Sequence, residues 1–354
     1  MPPKLTGLST HSAPAAALRI GFIALADAAP LIVAHEMGLF RKEGVRVELR
    51  RELGWATIRD KVIYRELDAA HALGAMVLST SLGIHCPACP CVTAFALGEE
   101  GNAITLSMDL HGRGVRDGAT LKEEARRTRG ERQLVLGVVS EHSSHRILLG
   151  DWLKAAGLRP DVDYRIVVVP PPLLFRNLYA GTIDGYCSGE PWNALAVREQ
   201  VGFCPATSRT LAPGHIEKVL MVREDFAEAR DGEHRALLRA LAAGAELSAR
   251  PEFRTELVSM LARREYLNLS AKVVALGLGE GNPDSPAAFD RTSMHEPSAE
   301  KAQWLLDGFR RHGLIPQSRP VPQDLIETTF RADIFERTFA IAEAVARPNP
   351  VAGD

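Results

Sequence analysis

The sequence predicts an α/β protein of two lobes, on three observations. Short apolar segments alternate with helical ones from Leu18 onward, the same alternation resumes at about residue 133, and the glycine-rich polar stretch HGRGVRDGAT (111–120) separates the two series. Strand, helix and strand in turn is the pattern of parallel βαβ units.

The elements follow in order. RIGFIAL (19–25) reads as a buried strand, and Asp27 to Gly44 as a helix with Pro30 near its start, where a missing amide donor costs nothing. RVELRRE (46–52) alternates as a second strand, Trp55 to Leu67 is helical, and AHALGAM (70–76) is a third strand. In the second series QLVLGVV (133–139), YRIVVVP (164–170) and TIDGYCS (182–188) are strands, separated by helices over Ser144–Ala156 and Leu173–Ala180. A second boundary falls within SRTLAPGHIEKVLMVRED (208–225). Beyond it Arg235–Ala249 and Glu300–His312 have helical spacing, while Pro283–Pro297 reads as an irregular loop. The expected division is a loose arm over residues 1–17, a discontinuous first lobe over 18–110 and 216–354 with a helical C-terminal part, and a second lobe over 111–215.

Composition narrows the function. The chain has 354 residues, 46% hydrophobic and 24% charged, with a formal net charge of −2. It is long enough for two cores. With no basic excess to neutralise phosphates, direct nucleic-acid binding is not expected. No apolar run approaches the roughly 18 residues of a membrane span, so no membrane insertion is expected. The first 22 residues hold no apolar stretch behind a basic segment, which argues against a secretory signal and for a cytoplasmic protein. Five cysteines make a poor disulfide framework. HCPACPC (85–91) gathers three of them beside His85, but Pro87 and Pro90 stiffen the loop and no second pair completes a familiar metal spacing; reduced thiols are the preferred reading. No cofactor or metal is expected.

Three helix starts share one character: Gly54-Trp55, Ser143-Ser144-His145, and Gly189-Glu190-Pro191-Trp192, the last with Pro191 in the first helical position. In open sheets the crevice lies beyond the strand carboxyl ends, where helices begin, and their free amides suit an anion. Trp55 and His145 add an indole and an imidazole donor, Asn102 an amide and Lys218 a full positive charge. Such donors hold a small planar oxyanion without catalytic machinery, so the chain is read as a non-enzyme. Glu190 would repel that guest, so it is expected to orient Lys218 or another donor. Trp192 and Cys187 read as core.

RIGFIALADAAPLIVAHEMGLF, GWATIRDKV, GNAITLS, VVVPPP, NLYAGTIDGYCSGEPWNA and HIEKVLMV together resemble the nitrate/bicarbonate-binding family of periplasmic-type binding proteins, over residues 18 to about 340. The resemblance implies a periplasmic-binding-protein-like (type II) clamp with a hinged interlobe cleft. It also implies nitrate or nitrite contacts at Trp55, Asn102, His145, Gly189 and Lys218. Lysine at 218, where the bicarbonate branch has an acid, favours nitrate or nitrite. With no signal expected, the nearest likeness is the cytoplasmic nitrate/nitrite sensor that releases an ANTAR-type RNA-binding antiterminator. The alternative is the substrate-binding component of an ABC nitrate transporter, whose partner is a permease. A lesser alternative is the thiamine-pyrimidine synthase branch of the same broad fold.

Overall fold

Ten strands build two five-stranded sheets: β1 (Leu18–Ile23), β2 (Val47–Glu52), β3 (Ala69–Leu73), β4 (Cys91–Glu99), β5 (Asn102–Ser107), β6 (Leu134–Val138), β7 (Tyr164–Val168), β8 (Gly185–Gly189), β9 (Gly202–Thr207) and β10 (Ile216–Arg223). The computed structural model describes residues 16–280, 295–316 and 318–346. The arm expected over residues 1–17 and the loop expected over Pro283–Pro297 lie almost wholly outside them.

The first sheet has the order β2-β1-β3-β10-β4 and the second β7-β6-β8-β5-β9. Each contains the predicted parallel core, β2-β1-β3 in one and β7-β6-β8 in the other. Each is then extended by antiparallel strands: β10 pairs with β3 and β4, and β5 with β8 and β9. The sheets are therefore mixed. The chain enters the second sheet at Asn102, ahead of the boundary expected at residue 111, and returns to the first at Ile216.

Local chemistry explains where elements depart from expectation. The segment expected as one helix over Asp27–Gly44 is a 3-10 turn at Ala26–Ala28 followed by helices Ala29–Glu36 and Leu39–Lys42, because Gly38 adopts a left-handed φ of +67° between them. β3 ends at Leu73, and the largely apolar run continues as a buried helix, Gly74–Ser81. An unbroken apolar run carries no period to separate strand from helix.

The two crossings are tied to each other. Glu100, between β4 and β5, accepts from the Gly214 amide at 2.9 Å and from Arg209 Nε at 3.2 Å, and its own amide donates to the His215 carbonyl at 3.0 Å. Further bonds join the lobes at the strand ends. The Trp192 indole donates to the Ala24 carbonyl at 3.1 Å, and the Ala26 amide to the Glu190 carbonyl at 2.8 Å. The helix Ala299–Arg311 packs against both Gly74–Ser81 and Ser144–Ala155, with the Trp304 ring lying 5.1 Å from the His215 ring. Among the described residues no helix is long and apolar enough to cross a membrane.

Candidate functional site

β10 supplies the centre of the site. Lys218 is fully buried, its Nζ 2.7 Å from Glu217 Oε1 and 2.9 Å from Asp27 Oδ2, and 5.5 Å over the Trp55 ring. Burial alone would lower the lysine pKa, but the two carboxylates outweigh it and raise it, so the ammonium stays charged. Consecutive residues of a regular strand face opposite ways. Here the pairing of β10 with β4 shifts register on both sides of Lys218, a bulge that lets Glu217 and Lys218 meet.

Glu217 gathers the second lobe. Asn102 Nδ2 donates to its Oε2 at 2.7 Å and Ser144 Oγ donates to the same atom, while His145 Nε2 stands 3.6 Å from Oε1 and His215 Nε2 3.5 Å from Oε2. Against the cost of burial, the Lys218 ammonium holds this carboxyl well below its usual range. Asp27 accepts from His71 Nε2 at 2.9 Å in the neutral-ring tautomer that protonates that nitrogen; Lys218 and His71 lower its pKa against burial. His145 is pushed down to about 4 by burial, so its ring is neutral near pH 7.

Each side chain is placed by its element. Trp55 opens the helix Trp55–Ile63 directly beyond β2, after Gly54 in extended conformation. His145 is the second residue of Ser144–Ala155, whose cap Ser143 accepts from the Arg146 amide. Asn102 begins β5 in direct register with Gly189, the last residue of β8. A Cβ built on Gly189 would stand 3.5 Å from Asn102 Oδ1 and 3.6 Å from Asp27 Oδ2, so the glycine leaves room beside the charged cluster.

Trp55, Asn102, His145, Gly189 and Lys218 thus come together from both lobes. Several buried polar atoms here have no hydrogen-bond partner: Trp55 Nε1, Asn102 Oδ1, both ring nitrogens of His145, and Nδ1 of the neighbouring His71. Buried polar groups in folded proteins are nearly always satisfied, so unsatisfied ones gathered about one ammonium indicate a place for a polar guest. An open cavity of about 500 Å³ elsewhere between the lobes, with Arg51, Leu53, Phe175 and Arg176 in its wall, contains none of them.

Glu190, expected to orient Lys218 or another donor, forms no ion pair with Lys218 among the described residues. Its Oε2 accepts from the Ala194 amide at 3.0 Å, and burial pushes its carboxyl up to about 7. The third helix start also differs, because the helix spans only Trp192–Arg198 with Pro191 at its cap, and Glu190 takes the amide that was expected to face an anion. Sequence reasoning missed Asp27, His71, Glu217 and His215. Asp27 had a usable signal, following β1 at its carboxyl end. Glu217 had none, since the bulge that turns it inward is set by pairing across the sheet.

The cysteines of HCPACPC are free. A hydrogen bond with Cys91 lowers Cys89 to about 7 and raises Cys91 well above its ordinary value. Among the described residues no three His, Cys, Asp or Glu side chains converge as metal ligands.

Two mixed α/β sheets closing on a shared buried cluster define the two-lobed clamp of periplasmic binding proteins. The chain belongs to the NMT1-like family, which it matches over residues 11–262. It is 35% identical over 342 residues to the bicarbonate transport ATP-binding protein CmpC of Synechocystis sp., covering 94% of this chain and 51% of that protein. It is likewise 35% identical to the nitrate import ATP-binding protein NrtC of the same organism, covering 90% and 49%. The chain therefore spans about half the length of these relatives. The crystal structure of the periplasmic nitrate-binding protein NrtA from Synechocystis superposes with a TM-score of 0.85 at 25% identity, over 93% of this chain and 89% of that one.

Proposed function

We propose that the chain binds nitrate or nitrite as the substrate-binding component of an ABC-type nitrate import system. The observation that carries this reading is the pair of unpartnered, buried donors at Trp55 and His145 beside the Lys218 ammonium. Nitrate offers only acceptors, and the Trp55 indole, the His145 ring and the ammonium offer donors. About three to five such bonds, after ordering costs, reach micromolar affinity. The Lys218 ammonium supplies the countercharge that such a monoanion needs. The likeness to nitrate-binding NrtA points the same way.

The match to about half of proteins named as ATP-binding favours a second reading, in which such a clamp reports the anion to a protein partner. In its specific form this is a cytoplasmic sensor holding an ANTAR-type antiterminator until nitrate arrives. Both readings use the same pocket and differ in what reads its closure.

Calorimetry with nitrate, nitrite, bicarbonate and sulfate tests the pocket. Nitrate or nitrite binds the wild type and is lost in Lys218→Glu; wild-type indifference to both ions refutes the reading. Pull-down from nitrate-free lysate, repeated with nitrate, separates the partners: an antiterminator released by nitrate identifies the sensor, and a permease the importer.

A further inference from the structure

The donors gathered for a planar anion already face one. Asn102 Nδ2, Ser144 Oγ and Lys218 Nζ all point at Glu217, with His145 and His215 just beyond hydrogen-bond reach. A carboxylate shares with nitrate a flat trigonal shape, one delocalised negative charge and acceptor-only chemistry. It also joins the lobes: Glu217 belongs to the first sheet, whereas Asn102, Ser144 and His145 belong to the second lobe.

The charges then do not balance for a second anion. Facing this point are Asp27 from the turn after β1, His71 from β3, His145 from Ser144–Ala155, Cys187 from β8, and His215, Glu217 and Lys218 from the return crossing and β10. Two ionised carboxylates stand against one ammonium. A further unit negative charge about 5 Å from Glu217 would meet repulsion equivalent to roughly a few-hundredfold loss of affinity at an effective dielectric constant near 20.

We propose that Glu217 is an internal anion that clasps the two lobes together, and that nitrate or nitrite enters together with one proton taken up by the Glu217–His145 pair. This rests on the anion-binding reading above. The chemistry is a proton transfer from water or buffer to His145 Nε2 or to the Glu217 carboxylate, with no bond to the guest formed or broken. His145 suits the part because both its nitrogens lack partners, and an arriving anion favours its charged form.

The experiment is calorimetric titration of the wild type with sodium nitrate at pH 6, 7 and 8, each in two buffers of different ionisation enthalpy. The expected result is uptake of close to one proton per nitrate, with affinity falling toward tenfold per pH unit. Glu217→Gln, which keeps the shape and removes the charge, binds nitrate more tightly than wild type at pH 8 and takes up little or no proton. Wild-type binding with no proton exchange and equal affinity at pH 6 and 8 overturns this inference alone. No heat with nitrate or nitrite at any pH overturns the anion-binding reading and this inference with it. Should Glu217→Gln not fold, the wild-type buffer comparison decides the matter by itself.

Discussion

Lys218→Met probes the charged centre directly, because methionine keeps much of the stem while removing the ammonium. The lost contacts are two charge-assisted bonds of 2.7 and 2.9 Å. Removing one member of a buried ion cluster costs about 3–5 kcal/mol, since the remaining carboxylates stay buried without their countercharge. The pH dependence discriminates the cause. In the wild type Asp27 and Glu217 have lowered pKa values, so they contribute stability above their unfolded values that is lost only as pH falls through the folded ones. In the variant, burial without the ammonium raises both. Folded values above unfolded ones mean that stability is penalised as pH rises and recovered as pH falls. Urea denaturation should therefore show a deficit of about 3–5 kcal/mol at pH 8 that shrinks toward pH 5. A deficit below about 1 kcal/mol, or one unchanged between those pH values, refutes the buried ammonium between two ionised carboxylates.

Other consequences are narrower. Trp55→Phe preserves the ring under Lys218 but deletes the unpartnered indole donor, and should weaken nitrate binding about tenfold with the fold intact, read by calorimetry. Glu190, raised to about 7 from 4.5, contributes stability that is present below about pH 4.5 and lost as pH rises through about 7; Glu190→Gln should remove that slope in denaturation curves while leaving nitrate affinity unchanged. Cys89, lowered to about 7 and half-buried, should be the first cysteine alkylated at pH 7.5, and peptide mapping that finds Cys86 or Cys204 first would contradict the arrangement.

What the sequence disclosed divides along physical lines. The parallel strands and the long helices carried their own periodicity, so β1, β2, β6 and β7 and the helix Ser144–Ala155 were legible, as was the clustering of Trp55, Asn102, His145, Gly189 and Lys218. The buried helix Gly74–Ser81 was hidden because it is buried on all sides from Gly74 to Thr80 and no exposed stripe marks a period. β5 and β10 were hard to place because their antiparallel insertion depends on partners far away in the chain. Glu190 misled because a glutamate beside a glycine at a strand end could equally serve its own helix, and it does. Glu217 was concealed by alternation, which assigns neighbours of a strand to opposite faces unless a bulge intervenes.

The clip formed by Glu100 has a mechanical meaning for the buried cluster. Two straps stitched side by side behave as one axle: sliding and twisting of the halves are resisted, and swinging about a single line is the soft movement that remains. Since Trp55, Asn102, His145 and Lys218 are sealed from solvent, any guest enters and leaves only in step with that swing. The axle and the cluster are also one piece of chain, since His215 takes the Glu100 amide on its carbonyl and sets its ring 3.5 Å from Glu217.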